Sequence, residues 1–358
     1  PMVVNSDERQ WTWMDEGLNT FLEYVAELEW EEDFPAFKKT SNPLETHVNV
    51  MDMIPEYMTS RQQVPVMTQS DSVLRLGPNA YTKPATALTV LRETVMGRQL
   101  FDFAFREYAQ RWKFKRPTPA DFFRTMEDAS GVDLDWFWRA WFYTTDHVDI
   151  AISGVRAYRL KHGDPDVDYP LDREESARDY PEPVSIERNR AMGIVPRESR
   201  YEELQDLYSA QDRFTVTNKD RNDARSAYEK LEPWEQRAFD RAIEEDSLFY
   251  FVDFENLGGV PTPLLVEIYY EDGSHRSLEV PAEVWRRNSQ AVTYRLIEDK
   301  AIAYIYLDER HQTADANYAN NRFPQEIHQS RLAVYKSKTQ KRNLMADLLQ
   351  KLNDSGKA

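Results

Sequence analysis

The apolar residues of this chain change their period near residue 148, and this change sets the fold class. Before that point, apolar side chains recur every three or four positions, which predicts amphipathic helices. From Val148 to Val155 they alternate with other residues, which predicts a strand, and similar runs return between residues 249 and 307. Residues 162–247 interrupt the strand pattern. The sequence therefore predicts a multidomain α + β protein.

The helical part contains several well-marked helices, which the pattern places at residues 15–30, 81–96 and 98–112. A further helix is predicted to begin at Thr118, because a threonine cap, a proline and then Asp121 have the order of a capping box. The stretch 135–143 is dense in aromatic residues, which suits a helix packed into a core.

The strand part is predicted to form a small β-sandwich, with a hairpin whose tight turn contains Asp272 and Gly273. Between its strands lies an insertion with an acidic, proline-rich and loosely packed start and a helical second half. The chain ends in a basic tail with a leucine-rich, helical pattern. The expected units are residues 1–146 (helical), 147–161 with 248–323 (β-sandwich), 162–247 (acidic, partly helical insertion) and 324–358 (basic C-terminal helical tail).

The composition of the chain restricts the kinds of molecule that it is expected to bind. The formal net charge of −17 argues against a nucleic-acid partner, which would need clustered lysine and arginine. It mildly favours cationic ligands such as a peptide's amino terminus, although an acidic surface also serves solubility. The absence of cysteine excludes disulfides, thiolate-bound zinc and thiol catalysis. No apolar run is long enough for a transmembrane segment, and the sequence leaves the oligomeric state open.

The six histidines do not form a metal site within the chain. No two of them stand four residues apart, so the sequence lacks a helical pair of histidine ligands. His47 falls among the predicted helices and His147 falls at the expected domain junction. Both are interpreted as structural or surface residues.

Two short segments contain the candidate catalytic and metal-binding residues of the sequence. The first contains Asp15, Glu16 and Gly17 just after a pair of tryptophans, and the second begins with Tyr81 and Lys83. Each has an ordinary explanation. Carboxylates favour the first turn of a helix because of its dipole, and Tyr81 could be a core aromatic ahead of a proline in a first helical turn.

Together the two segments resemble the aminopeptidase N–like gluzincin metallopeptidases, in a bacterial branch of that family. That family carries His-Glu-x-x-His on one helix, and an Asn-Glu-Gly segment on a second. Asp15-Glu16-Gly17 is similar to the second segment, with aspartate in place of asparagine. The family's catalytic tyrosine lies in a Tyr-x-Lys-Gly segment, which Tyr81-Thr82-Lys83 resembles, with Pro84 in place of glycine. The resemblance is strong over residues 1–145 and moderate over 146–323.

The resemblance implies a fold and a mechanism. The helical part would be the C-terminal half of a thermolysin-like catalytic domain. Glu16 would be the third protein ligand of a zinc ion, Tyr81 would donate a hydrogen bond to the oxyanion, and Asp15 would steady the helix start or support the ligand. The complete protein would be a hydrolase, an aminopeptidase that removes N-terminal residues from peptide substrates, and a bacterial periplasmic or cell-envelope location is expected.

The family's spacing places His-Glu-x-x-His just before Pro1, so this chain would be a fragment without two zinc ligands and the general base. We therefore expect the isolated chain to be inactive and to bind zinc poorly. Two other interpretations stay open. The chain could be a non-catalytic, peptidase-like scaffold or binding module, because Asp15 and Pro84 depart from the commoner pattern. The β domain could also bind a partner along a strand edge.

Overall fold

The computed structural model describes residues 3–30, 51, 54–180, 182–206, 211–245 and 247–327. His47, His328 and nearly all of the predicted basic tail lie outside these residues. The described residues form a mixed α + β fold in which both sheets are antiparallel.

The first part of the chain is helical, as predicted. Its α-helices are α1 (Trp13–Trp30), α2 (Pro55–Met58), α3 (Lys83–Val90), α4 (Arg98–Trp112), α5 (Pro119–Ser130) and α6 (Asp135–Trp138). π-helical turns flank α3 at Gly77–Thr82 and Leu91–Val95, and another follows α6 at Arg139–Tyr143. A short 3₁₀ turn lies at Ser70–Ser72. Within the described ranges, no helix combines the length and apolar character needed to cross a bilayer.

The capping box predicted for the fourth helix is confirmed. The backbone N–H of Thr118 donates to Oδ2 of Asp121 over 2.8 Å, and Pro119 occupies the first helical position. Gly131 ends α5 in the left-handed conformation with φ of 71°, which glycine adopts without steric cost.

Aromatic rings tie the start of α1 into this helical core. Trp13 is completely buried, and its ring centroid lies 5.9 Å from Phe122, 5.8 Å from Phe123 and 4.7 Å from Phe142. Such ring pairs contribute beyond their buried area because offset and edge-on geometries are favourable. The tryptophan thus fixes the helix end that carries Asp15 and Glu16.

The strands form two sheets. They are β1 (Ile150–Arg159), β2 (Leu248–Asn256), β3 (Leu264–Tyr270), β4 (His275–Val280), β5 (Ala291–Glu298), β6 (Ile302–Leu307) and β7 (Arg322–Phe323). One sheet has the order β1-β2-β5 and the other β4-β3-β6-β7, and the two approach each other at β1 and β7. The hairpin predicted at Asp272 and Gly273 joins β3 to β4, with Gly273 at φ of 82°. Short 3₁₀ turns at Ala282–Arg286 and Tyr318–Asn320 connect strands.

The insertion is more helical at its start than the sequence suggests. It contains α7 (Pro165–Asp179), α8 (Val184–Ala191), α9 (Arg197–Arg200), a 3₁₀ turn (Glu202–Leu204), α10 (Asn218–Glu229) and α11 (Pro233–Glu244). Asp164 caps α7 by accepting a hydrogen bond from the N–H of Asp166 over 2.9 Å. Only Pro165 and Asp168 of α7 are buried, and α8 to α11 bury no residue fully. Without an apolar stripe, α7 leaves no periodic signal in the sequence.

Helix α1 approaches the helix that carries Tyr81 unusually closely, at Gly17. A Cβ atom on Gly17 would lie 2.5 Å from Cγ of Pro84 and 3.0 Å from the carbonyl oxygen of Ala80. Only a residue without a side chain allows this contact, because the proline ring is rigid. Glu16 and Tyr81 are the chain neighbours of Gly17 and Ala80, so this contact brings the two predicted site residues together.

We predict that Gly17→Ala destabilises the protein, although alanine favours helices over glycine. Overpacking against a rigid ring should cost about 1–3 kcal/mol of unfolding free energy, more than the ~1 kcal/mol gained in helix propensity. Chemical denaturation would measure this.

Gly77→Ala is the matched control, because a Cβ there meets no atom within 4 Å. It should leave stability unchanged or raise it, by up to about 1 kcal/mol from helix propensity. Pro84→Gly, which removes the ring, should reduce the effect of Gly17→Ala through coupling between the two sites. Equal stability of Gly17→Ala and Gly77→Ala would contradict the close-contact account.

Candidate active site

Asp15 and Glu16 lie in the first turn of α1. Their backbone N–H groups donate to the carbonyl of Thr12 over 3.1 Å and 3.0 Å, and Trp13 anchors this turn in the core. Both carboxylates are partly buried. The helix dipole stabilises negative charge here, so the fold holds a carboxylate at this position at little cost.

Tyr81 lies in the π-helical turn that leads into α3. This turn is fixed from inside by Asn79, whose side-chain amide donates to the hydroxyl of Tyr57 over 3.0 Å and to the carbonyl of Val64 over 2.9 Å. π-helical turns are rare and occur frequently at functional sites. Tyr81 itself is 36% exposed, so its side chain is within reach of a ligand from outside.

The hydroxyl of Tyr81 lies on the Glu16 side of this turn, close enough for that carboxylate to act on its pKa. The interaction with the Glu16 side chain is the largest cause of a raised pKa for the Tyr81 phenol, ahead of desolvation and of the negative charges of Glu16 and Asp15. Each of these influences disfavours the phenolate. The phenol therefore keeps its proton and stays a hydrogen-bond donor.

The structure thus places Glu16, Asp15 and Tyr81 in one cluster, although they come from separate segments of the chain. A carboxylate beside a protonated phenol can hold a cation and donate a hydrogen bond to a neighbouring oxygen. Pro84, which departs from the glycine of the resembling family, has a structural role here, because its ring packs on Gly17.

Lys83 is an unexpected feature behind this cluster. Its side chain is completely buried, and the chain places it two residues after Tyr81. With the Gln63 amide oriented by its hydrogen bonds, Nζ of Lys83 donates to Oε1 of Gln63 over 2.8 Å. Burial lowers the pKa of Lys83 to about 8, and the nearby charge of Asp146 partly opposes that shift. The sequence shows Lys83 among apolar residues, but it gives no signal for Gln63 or Asp146.

Metal ligands do not converge within the described part of the chain. No group of three or more histidine, cysteine, aspartate or glutamate side chains there could hold a metal ion. Of the described histidines, His147 lies at the junction before β1, where its backbone bridges to Gly259. His162 contacts Asp168, and His275 stacks on Tyr269. Glu16 therefore does not belong to a complete set of metal ligands within these residues, since a zinc site usually needs three from the protein.

Comparison with known proteins bears on the helical part. Residues 3–141 match the family model described as the peptidase family M1 domain, a range that contains both Glu16 and Tyr81. Among solved structures, a crystal structure of Legionella pneumophila aminopeptidase A in complex with aspartic acid is similar at 15% identity, with a TM-score of 0.34. The similarity covers 84% of this chain but 22% of that one, so the chain spans less than a quarter of that structure's length. No curated protein sequence matches the chain.

We predict that Lys83→Met changes how stability depends on pH. The unfolded lysine has a pKa near 10.4, whereas the folded one titrates at about 8. Between these values the unfolded wild type binds more protons, so its unfolding free energy rises with pH. The methionine variant lacks this contribution. Its stability relative to wild type should therefore fall by about 2.5 kcal/mol from pH 8 to 10.5, measured by denaturation.

Lys161→Met is the control, because Lys161 is exposed and its pKa is raised by a hydrogen bond to Asp172. Its stability relative to wild type should show no fall in this window. If the Lys83 and Lys161 variants behave alike, the buried amine does not titrate as described.

Proposed function

Since residues 3–141 match the domain of peptidase family M1, we propose that the protein containing this chain is a zinc aminopeptidase. In this proposal Glu16 ligates the metal and Tyr81 donates a hydrogen bond to the reacting carbonyl oxygen. The observation that carries the proposal is the close approach of the two helices at Gly17, which brings the Tyr81 phenol near Glu16. Two groups with these roles must lie on one reacting centre, and this approach of the two helices supports that placement.

Glu16 suits a zinc ligand in chemistry and place. Its carboxylate is partly buried in the first turn of α1, where backbone dipoles stabilise its charge. The described residues provide no second and third ligand, so we propose that two histidines of a His-Glu-x-x-His segment outside this chain complete the site. Zinc, when bound, would polarise the scissile carbonyl and lower the pKa of a coordinated water.

Tyr81 would act as the oxyanion donor. A tyrosine phenol ionises only near pH 10, so Tyr81 carries its proton at neutral pH and can donate, and Glu16 and Asp15 raise its pKa further. A donor aimed at the developing negative charge stabilises the transition state more than the substrate, because the charge exists only there. Asp15 would support this state, since its charge also opposes ionisation of the phenol.

The remaining parts would frame this site. We propose that the helical part is the C-terminal half of a thermolysin-like domain and that the two sheets form a β-sandwich behind it. Peptides with a free amino terminus would be the substrates, and the net charge of −17 suits such cationic ends. A periplasmic or cell-envelope location belongs to the same proposal.

We predict that Tyr81→Phe, made in the full-length protein, lowers kcat for peptide hydrolysis by about 10²–10³-fold, the usual loss for one oxyanion donor. KM should change little, because the lost bond forms mainly in the transition state. Tyr158→Phe is a control, since Tyr158 is exposed on β1 and has no place in the cluster. Unchanged kcat in Tyr81→Phe would remove the residue from the mechanism.

We also predict that zinc content separates the isolated chain from the full-length protein. The full-length protein should hold about one zinc per chain, and Glu16→Gln should lower its affinity. The isolated chain should hold far less zinc and be inactive, because one carboxylate cannot replace three ligands. Stoichiometric zinc in the isolated chain, measured by atomic absorption, would mean that other ligands exist here.

The sequence of the gene upstream of Pro1 decides between this proposal and a non-catalytic scaffold. An intact His-Glu-x-x-His at the family's spacing supports the peptidase. A broken motif would leave Glu16 as a helix-end carboxylate and favour a binding module.

A further inference from the structure

The amine of Lys83 lies inside the protein, behind the helix that carries Tyr81. Nζ donates to Oε1 of Gln63 over 2.8 Å, and the same amide donates from Nε2 to the carbonyl of Thr145 over 3.1 Å and to that of Met58. Lys83 is therefore joined, through one amide, to two other backbone segments. One of them is the turn that leads towards β1.

Asp146 lies in that same turn, and its negative charge acts on the Lys83 amine by raising its pKa. Asp146 is itself held in place, because its Oδ2 accepts a hydrogen bond from Oγ1 of Thr144 over 2.8 Å. A Cβ atom placed on Gly259 would lie 3.0 Å from Cγ of Asp146, so this side chain also approaches the backbone of Gly259. The turn is therefore packed close to the backbone at Gly259.

Stability does not account for a lysine at this position. Removing an ammonium group from water is expensive, and the lowered pKa shows that folding disfavours the charged form. An apolar side chain of similar length would avoid this cost. A costly buried group that is held by specific contacts is better explained by what it positions.

Lys83 and Pro84 fix the rotation of the Tyr81 helix. Pro84 rests on Gly17 of α1, and the next residue back, Lys83, is anchored towards Gln63 and Asp146. Because Lys83 and Pro84 are both held, the π-helical turn that precedes them is fixed in its rotation about the helix axis. In that orientation the hydroxyl of Tyr81 lies on the side of Glu16, which acts on its pKa.

We propose that Lys83 is a positioning residue that holds the Tyr81 hydroxyl on the Glu16 side of the site, through its contacts with Gln63 and the turn at Asp146. This inference rests on the proposed function, because it assigns Lys83 a part in the same reaction. Lys83 itself touches neither substrate nor the reacting atoms.

The test compares Lys83→Met with Lys161→Met in the full-length protein. We expect Lys83→Met to lower kcat by about 10-fold to 100-fold, as displacement of a catalytic group by about 1 Å can do. KM and zinc content should stay within about twofold, since neither depends directly on Tyr81. Stability at pH 7 should stay equal or rise. Lys161→Met should match wild type in all four measurements.

A double-mutant cycle with Tyr81→Phe identifies the route. If Lys83 acts through Tyr81, Lys83→Met should lower kcat no further in the Tyr81→Phe background. Equal losses in both backgrounds would overturn the proposal, as would an unchanged kcat in Lys83→Met. A loss of stability with kcat preserved would show a purely structural role and would also overturn it.

Two further measurements keep the inference separate from the proposed function. Asp146→Asn, which keeps its shape but removes the charge facing Lys83, should lower kcat in the same direction if Lys83→Met fails to fold. If the full-length wild type shows no zinc-dependent peptidase activity, the proposed function fails. A crystal structure of Lys83→Met then decides the positioning role, because a Tyr81 hydroxyl that keeps its wild-type place beside Glu16 overturns it and a displaced hydroxyl supports it.

Discussion

The contact between Gly17 and Pro84 determines the geometry of the candidate site. It lets the backbones of two helices approach to a distance that any side chain on Gly17 would prevent. Because Glu16 precedes Gly17 and Tyr81 lies three residues before Pro84, the approach places a carboxylate near a phenol, whose pKa it raises. Trp13 then fixes the end of α1 by packing on three aromatic rings. The absence of a side chain at Gly17 thus permits the arrangement of its neighbour Glu16 with Tyr81.

Much of the fold could be predicted because its signals are local. The helices at Trp13–Trp30 and Arg98–Trp112 follow an apolar stripe, and the capping box at Thr118 marks the start of α5. The Asp272–Gly273 pair likewise predicts the hairpin between β3 and β4. Glu16 and Tyr81 were singled out through their segments, and the structure brings them together, but their roles and the domain boundaries stay predictions.

The parts that sequence reasoning missed depend on tertiary contacts. Helix α7 buries too few apolar residues to show a period, so its proline-rich sequence reads as irregular. Strand β7 has only two residues and exists because it pairs with Ile305 and Tyr306 of β6. Lys83 is buried because Gln63 and Asp146 approach it from elsewhere in the chain, and no spacing in the sequence relates these residues.

The ordinary explanation of Glu16 and the functional one make different demands on the structure. A carboxylate that only stabilises a helix end needs backbone N–H groups and solvent, and it needs no partner from another helix. Glu16 has such a partner in Tyr81, which a π-helical turn presents. The protein also accepts an unfavourably buried lysine two residues after that tyrosine. Helix-end electrostatics accounts for neither feature, whereas the proposed site would use both.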